Sequence, residues 1–193
     1  MEPSSMSRAQ ATFCSLDELL VQPRLASTRD AVHTQIAEAE AFIALARTLV
    51  HVPGSALQRF AELAMEGTGA DSAGISLEER DEQGAFFRWI ATAGEFSRYV
   101  NGTMPRDFSP CGTTVDVAKP LVMRDPVRYY AYISQLHAPV HLVLLVPFRR
   151  AGRPVGTVWV AAHTPHKNFS DADVRFVEHL GRFASDVLDA VRH

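Results

Sequence analysis

The residue pattern predicts an α+β domain in which an antiparallel sheet carries helices from the two ends of the chain on one face and an irregular cover on the other. Three observations predict it. Apolar residues recur at helical spacing near both ends of the chain. Between them lie two pairs of strand-like runs, each joined by a turn sequence. The two pairs are separated by residues 94–139, which hold five prolines and one short strand candidate. A compact domain keeps such a stretch when it builds a site.

Composition bounds the reading. The 193 residues are 47% hydrophobic and 21% charged, with a formal net charge of -3. A chain of this size buries roughly 70% of its unfolded surface, so its core needs no disulfide staples. Collagen, long disordered tails and disulfide scaffolds are excluded. The small acidic excess supplies no field for neutralising phosphates, so no nucleic-acid partner is expected. Cys14 and Cys111 are far apart and form no CxxC, which argues against an oxidised framework or a zinc site. The first twelve residues lack an apolar signal core, and the apolar run 140–148, broken by His141 and Pro147, is too short to span a bilayer. No membrane partner is expected, and the expected location is the cytoplasm.

Residues 1–27 read as an extension: Leu16, Leu19, Leu20 and Leu25 could pack, but Pro3 and Pro23 break any long element. The domain proper is 28–193. Its leading helix carries Val32, Ile36, Ala39, Ile43, Ala46 and Val50 in heptad spacing, widened by Phe42, Leu45 and Leu49. Pro53-Gly54 ends it, and Ser55 with Gln58 predicts a capping box for a second helix faced by Leu57, Phe60, Ala61 and Ala64. Ala73, Ile75 and Leu77 then alternate as a strand, turn at 81–84 and return through 85–93 with Phe86, Phe87 and Trp89. After the irregular stretch and its strand at 120–124, residues 141–148 and 155–163 form a second hairpin around 150–153. Ser170, Asp173 and the Phe169–Val174 staple open the last helix, whose stripe is Val177, Leu180, Ala184, Val187 and Val191, with Phe176, Phe183 and Leu188 beside it.

Several runs then carry a resemblance: Asp107-Phe108-Ser109-Pro110-Cys111-Gly112-Thr113, Leu144-Leu145-Val146-Pro147-Phe148, Pro154-Val155-Gly156-Thr157-Val158-Trp159, and the closing block 169–180. From about 54 to 191 the chain resembles the GAF domain, a ligand-binding relative of PAS domains, and especially the GAF modules of bacterial histidine-kinase-type sensors. The resemblance implies about six antiparallel strands backed by the first, second and last helices. The pocket would lie on the opposite face under residues 94–139. It leaves the ligand and any cofactor unassigned, because family members bind cyclic nucleotides, tetrapyrroles, haem or small anions.

The candidate ligand-binding residues are Phe108, Cys111, Asp116, Arg124, Tyr130, His141 and Trp159. Arg124, at a strand end, could clamp an anion or pair with Asp125. Tyr129, Tyr130 and Tyr132 either line the pocket or pack the cover with their hydroxyls at its rim. Cys111 is either a buried packing thiol or a reactive one, with Arg106 close enough in sequence to stabilise a thiolate. The bilin-attaching members resemble a Cys followed by His, whereas Gly112 follows Cys111 here. The methionine-sulfoxide reductases of the family resemble enzymes with resolving thiols, and Cys14 lies outside the domain. His137 and His141 are spaced as a helical metal pair, but Pro139 lies between them. His163 and His166 are expected to be solvated.

The leading expectation is a non-catalytic, small-molecule-binding sensory or regulatory module of bacterial signal transduction. It would be a homodimer through the N- and C-terminal helices, coupling pocket occupancy to that interface and to a signalling partner. The alternative is a thiol redox sensor, or a methionine-sulfoxide-reductase-like enzyme, centred on Cys111. A scaffold with a filled pocket is a third reading.

Overall fold

Ser27 opens the first helix. Its hydroxyl accepts the Asp30 N–H at 3.1 Å, and the Asp30 carboxylate accepts the Ser27 N–H at 3.2 Å. The computed structural model describes residues 14–190. Helix α1 (Thr28–His51) is followed by α2 (Ala56–Thr68) and a first hairpin, β1 (Ser72–Asp81) and β2 (Gly84–Gly94). The cover contains a short β3 (Thr103–Pro105), α3 (Pro110–Val117), β4 (Leu121–Arg124) and three 3-10 turns. A second hairpin, β5 (Leu142–Arg150) and β6 (Arg153–Ala162), leads to α4 (Asp171–Ala190). Residues 1–13 of the expected extension and Val191 of the expected last stripe lie outside the described residues.

The strands form one six-stranded antiparallel sheet in the order β3-β2-β1-β6-β5-β4. Both faces are covered. Ile75, Leu77, Leu144, Val146, Val158 and Val160 join a cluster with α2 and α4, while Trp89, Met123, Leu145 and Trp159 join a second cluster with the cover. That is why β5 and β6 read as nearly unbroken apolar runs rather than clean alternations. The β5–β6 hairpin closes through Ala151 and Gly152, both at positive φ (48° and 79°), the backbone of a type I′ turn.

Three local expectations are corrected. The Ser55–Gln58 box does not form: the Ser55 hydroxyl donates to the Val52 carbonyl at 3.0 Å and Gln58 Nε2 to Glu62 at 3.2 Å. A 3-10 turn, Pro53–Ser55, runs directly into α2, so Ser55 lacks the extended backbone that an N-cap requires. The second correction concerns α1, which packs chiefly on α2 and α4 as an outer layer. Its inner face is Thr34, Ala41 and Leu45 with Phe42 and Leu49, whereas the heptad residues Val32, Ile36, Ile43 and Val50 are exposed. The third concerns His163, which is engaged rather than solvated, as described below.

Part of the extension is integral to the sheet. Leu19 is fully buried; its carbonyl accepts the Arg124 N–H at 2.9 Å, and the Val21 N–H donates to the Val122 carbonyl at 3.0 Å. Residues 19–21 thus cover the open edge of β4, a position that would otherwise expose unpaired backbone groups. At α4, Ser170 and Asp173 form the expected capping box, with N–H to carboxylate at 2.7 Å and N–H to hydroxyl at 3.2 Å.

Candidate functional site

Strand β1 presents Ala73, Ile75 and Leu77 to the helices, which leaves Gly74 and Ser76 on the cover side. Small residues there make room for large ones on the neighbouring strands. Trp159 of β6 stands opposite Gly74, and Trp89 of β2 stands opposite Ser76. The two indoles meet across β1 with ring centroids 4.9 Å apart. A bulge in the β1–β2 ladder at Ile75/Ser76 makes this possible. It lets Phe87 and Trp89 face the cover while Ala91 and Ala93 face the helices, although all four lie at odd positions.

Above this floor the cover leaves a cavity of about 280 Å³. Its floor is Trp89, Val143, Leu145, Trp159 and Ala161. Phe96 and Tyr99 supply one wall, Phe96 stacked on the indole of Trp89 at a centroid distance of 5.9 Å and Tyr99 edge-on to it at 6.1 Å. The roof comes from Pro110 and Cys111 of α3 and from Tyr132, Ile133, Leu136 and Val140. Less buried positions, Gly102, Thr103, Met104 and Gln135, mark its mouth. Among the described residues, none of the lining side chains is charged.

The cover is pinned at both ends. The Phe96 N–H donates to Ser72 Oγ at 3.1 Å, Ser72 Oγ lies 2.8 Å from His163 Nε2, and His163 Nδ1 lies 2.6 Å from the Pro139 carbonyl. Because a carbonyl only accepts, the proton is assigned to Nδ1, and Nε2 receives the Ser72 hydroxyl. One serine and one histidine therefore join the start of the cover to its end.

Of the sequence-derived candidates, Cys111 and Trp159 line the cavity. Cys111 follows Ser109, which caps α3 by accepting the Gly112 N–H at 3.0 Å, and Pro110 at the first helical position. Its thiol donates to Ser76 Oγ at 3.4 Å, the same oxygen that receives the Trp159 indole N–H at 3.0 Å. Burial pushes the thiol pKa up, offset in part by the Ser76 hydroxyl. Arg106 does not stabilise a thiolate; it is held between Glu78 at 2.8 Å and Asp116 at 2.6 Å.

The other five candidates do not line the cavity. Asp116 is committed to Arg106. Arg124 shares the helix-side orientation of Val122 and donates to Asn168 Oδ1 at 2.7 Å. His141 pairs with Asp125 at 3.1 Å. Tyr130 is fully buried, with its hydroxyl 2.7 Å from Thr113 Oγ1, and burial raises its pKa to about 12. It fastens the 3-10 turns to α3. Phe108 lies outside, 43% exposed, against Tyr129, Tyr130 and Tyr132.

Trp89, Phe96 and Tyr99 belong to the cavity and were not among the candidates, and Tyr132 lines it, one of the two readings left open for the cover tyrosines. The signal for Trp89 was the Gly74/Ser76 face of β1; the bulge that turns Trp89 onto it is invisible in the alternation. Cys14 is also buried, in the same cover-side cluster as Cys111. Among the described residues, no group of three His, Cys, Asp or Glu side chains is placed to hold a metal, and no helix is long and apolar enough to cross a membrane.

Comparison with known proteins bears on the fold. The GAF domain of a phosphoenolpyruvate-protein phosphotransferase from Coxiella burnetii is similar, with 17% identity and a TM-score of 0.70 over 84% of this chain and 96% of that one. The free methionine-R-sulfoxide reductase of Neisseria meningitidis, solved with its substrate, is similar at 16% identity and a TM-score of 0.67, over 89% and 97%. So is the Nlh2 GAF domain of A. aeolicus in an inactive state, at 16% and 0.60, over 83% and 99%. Identities this low show a shared fold alone. No curated protein sequence matches the chain. A family model described as "GAF domain" matches residues 53–189, from the turn before α2 through the sheet and cover to α4. With the fold and that match together, the chain belongs to the GAF domain family, whose fold supports sensory and regulatory modules that bind small molecules.

Proposed function

We propose that this chain is a non-catalytic cytoplasmic sensor module of bacterial signal transduction, in which a small molecule under the cover alters a helical interface between two copies and so informs a signalling partner. The observation that carries the reading is the cavity of about 280 Å³ on the cover side of the sheet, roofed by a segment whose two ends are fastened by single side chains. The buried, protonated Cys111 is a packing thiol in this reading. A route to the far side is built into β1. Its Gly74 and Ser76 lie beside the two indoles that floor the cavity and its Ile75 and Leu77 face α2 and α4, so a displacement of the strand is felt by both layers. On those helices lies α1, with its exposed heptad stripe as the surface for a second copy.

Native mass spectrometry of the full chain, paired with hydrogen–deuterium exchange, tests the reading. The expected result is a bound small molecule, absent from an Ala161→Leu variant whose added methyl groups fill the floor. Removing the molecule should speed exchange in residues 95–140 and shift it in α1. A wild-type chain that binds nothing, with the variant more stable and otherwise indistinguishable, would leave a filled scaffold as the better description.

A further inference from the structure

The chemistry of the cavity wall restricts what can occupy it. We infer that its ligand is a neutral aromatic molecule of about two fused rings carrying a hydrogen-bond acceptor. The inference rests on the receptor reading above and names the class of molecule it receives.

Charge is the first restriction. All eighteen lining residues are uncharged at neutral pH. Several ionisable groups near the site already have partners: Arg106 with Glu78 and Asp116, His141 with Asp125, and His137 with Glu95. An anion or zwitterion entering here would lose its hydration shell and meet no counter-charge, a loss that apolar contacts do not offset. Phosphate esters, carboxylates and free amino acids therefore do not fit.

Shape is the second. Trp89, Trp159, Phe96, Tyr99 and Tyr132 put five aromatic rings around one space, an environment suited to a flat apolar partner stacked or edge-on. A cavity of roughly 150 Å³ accommodates a benzene ring, and this one measures about 280 Å³.

The third restriction is polar. Two of the lining residues carry donors that are buried without a partner among the described residues, the indole N–H of Trp89 and the hydroxyl of Tyr132. Buried donors are normally satisfied. Neither atom is exposed to the cavity as it stands, so a carbonyl, ether or ring nitrogen on the ligand reaches either one only once its ring turns toward that space; burial holds the Tyr132 hydroxyl in its protonated, donating form.

The chain has two tryptophans and both line the cavity, so their emission reports occupancy directly. The full chain, unfolded and refolded to strip bound molecules, is titrated with methyl 2-naphthoate, 2-methylnaphthalene, 2-naphthoate, methionine sulfoxide and choline. Heats of binding are measured alongside. The ester should saturate at one site per chain, with the hydrocarbon about tenfold weaker and the naphthoate anion at least about 100-fold weaker. Trp89→Phe or Tyr132→Phe should bring ester and hydrocarbon toward equal affinity while leaving the preference for neutral probes. Tighter binding of the naphthoate, the zwitterion or choline would overturn the ligand class while leaving a receptor. An ester preference unchanged in both variants would overturn the acceptor. If no probe binds and native mass spectrometry of unstripped protein finds no bound molecule, the receptor reading itself fails and the inference falls with it.

Discussion

Gly74 and Trp159 stand opposite each other across the β1–β6 ladder, and the indole of one occupies the space left by the missing side chain of the other. A Cβ placed on Gly74 would lie 2.4 Å from Trp159 Cζ2 and 2.7 Å from the Ala91 carbonyl. The second contact is backbone and cannot swing away. Gly74→Ala is therefore expected to lower stability by about 2–3 kcal/mol, in the range of overpacked cores. It should also red-shift tryptophan emission as Trp159 leaves its bond to Ser76. Denaturant unfolding followed by fluorescence checks both. A variant as stable as wild type with unchanged emission would mean that the indole does not lie over β1.

The same serine hydroxyl governs Cys111. With its thiol buried and its pKa raised, Cys111 should react with iodoacetamide at pH 7 only through unfolding of the cover, orders of magnitude more slowly than an exposed thiol. The linkage has a definite sign. A group whose folded pKa is raised keeps its stabilising contribution below the ordinary thiol value of about 8.5 and loses it as pH climbs above that. Urea midpoints should therefore fall above that pH and fall less steeply in Cys111→Ser. Tyr130, raised to about 12, adds a second decline that begins only near the ordinary phenol value of about 10. A flat wild-type profile through the thiol range, or fast alkylation at neutral pH, would restore Cys111 as a redox candidate.

The sequence made the frame of this molecule legible because helices and strands differ in period. Alternation at Ala73, Ile75 and Leu77 and the heptad at Val177, Leu180 and Ala184 put those side chains in the core where they are found. The capping box at Ser170 was readable because two short side chains decide it locally. Ser55 and Gln58 carry the same spacing, yet the preceding Pro53–Ser55 turn sets the backbone first. The site was less legible. Period two cannot register the extra residue of a bulge, so Trp89 could not be assigned to a face. The cover has no period at all. A place at a strand end suggested Arg124 and a place in the cover suggested Tyr130, but contacts across the fold, to Asn168 and Thr113, decide where those side chains go.

His163 offers a test of how the cover is held. Its ring packs 4.6 Å from the ring of Phe96 and its Nδ1 meets the Pro139 carbonyl. Replacing it by alanine leaves that carbonyl and the Ser72 hydroxyl short of a partner, at a cost of about 1–3 kcal/mol. The loss should be local. Hydrogen exchange in His163→Ala should quicken at 95–100 and 136–140 while β1, β5 and β6 stay protected. His163→Gln, whose amide can donate to the carbonyl, should recover part of the difference. Uniform acceleration across the sheet would show that the residue supports the whole core rather than fastening the cover.

The outer face of α1 supplies the remaining prediction. Val32, Ile36, Ile43 and Val50 are 50%, 54%, 55% and 76% exposed, and with Ala39 and Ala46 they keep the four-three spacing of a coiled-coil seam. The helix is about 36 Å long at 1.5 Å per residue, and the seam from Val32 to Val50 spans about five of its turns. An isolated apolar side chain at a surface is ordinary, but a continuous stripe with heptad spacing pairs well with its own copy across a two-fold axis. Beside its middle, Phe183 of α4 is 45% exposed and packs on Phe42, which extends the apolar surface onto the second helix. Sedimentation of the full chain at micromolar concentration should therefore give a dimer, and the double substitution Ile36→Glu, Ile43→Glu should give a monomer. Because both positions are exposed in the single chain, the monomer should keep its fold and probe binding, its stability shifted by no more than about 0.5 kcal/mol per site. A wild-type monomer would remove the interface. A double variant that stays dimeric would move it to another face of the molecule.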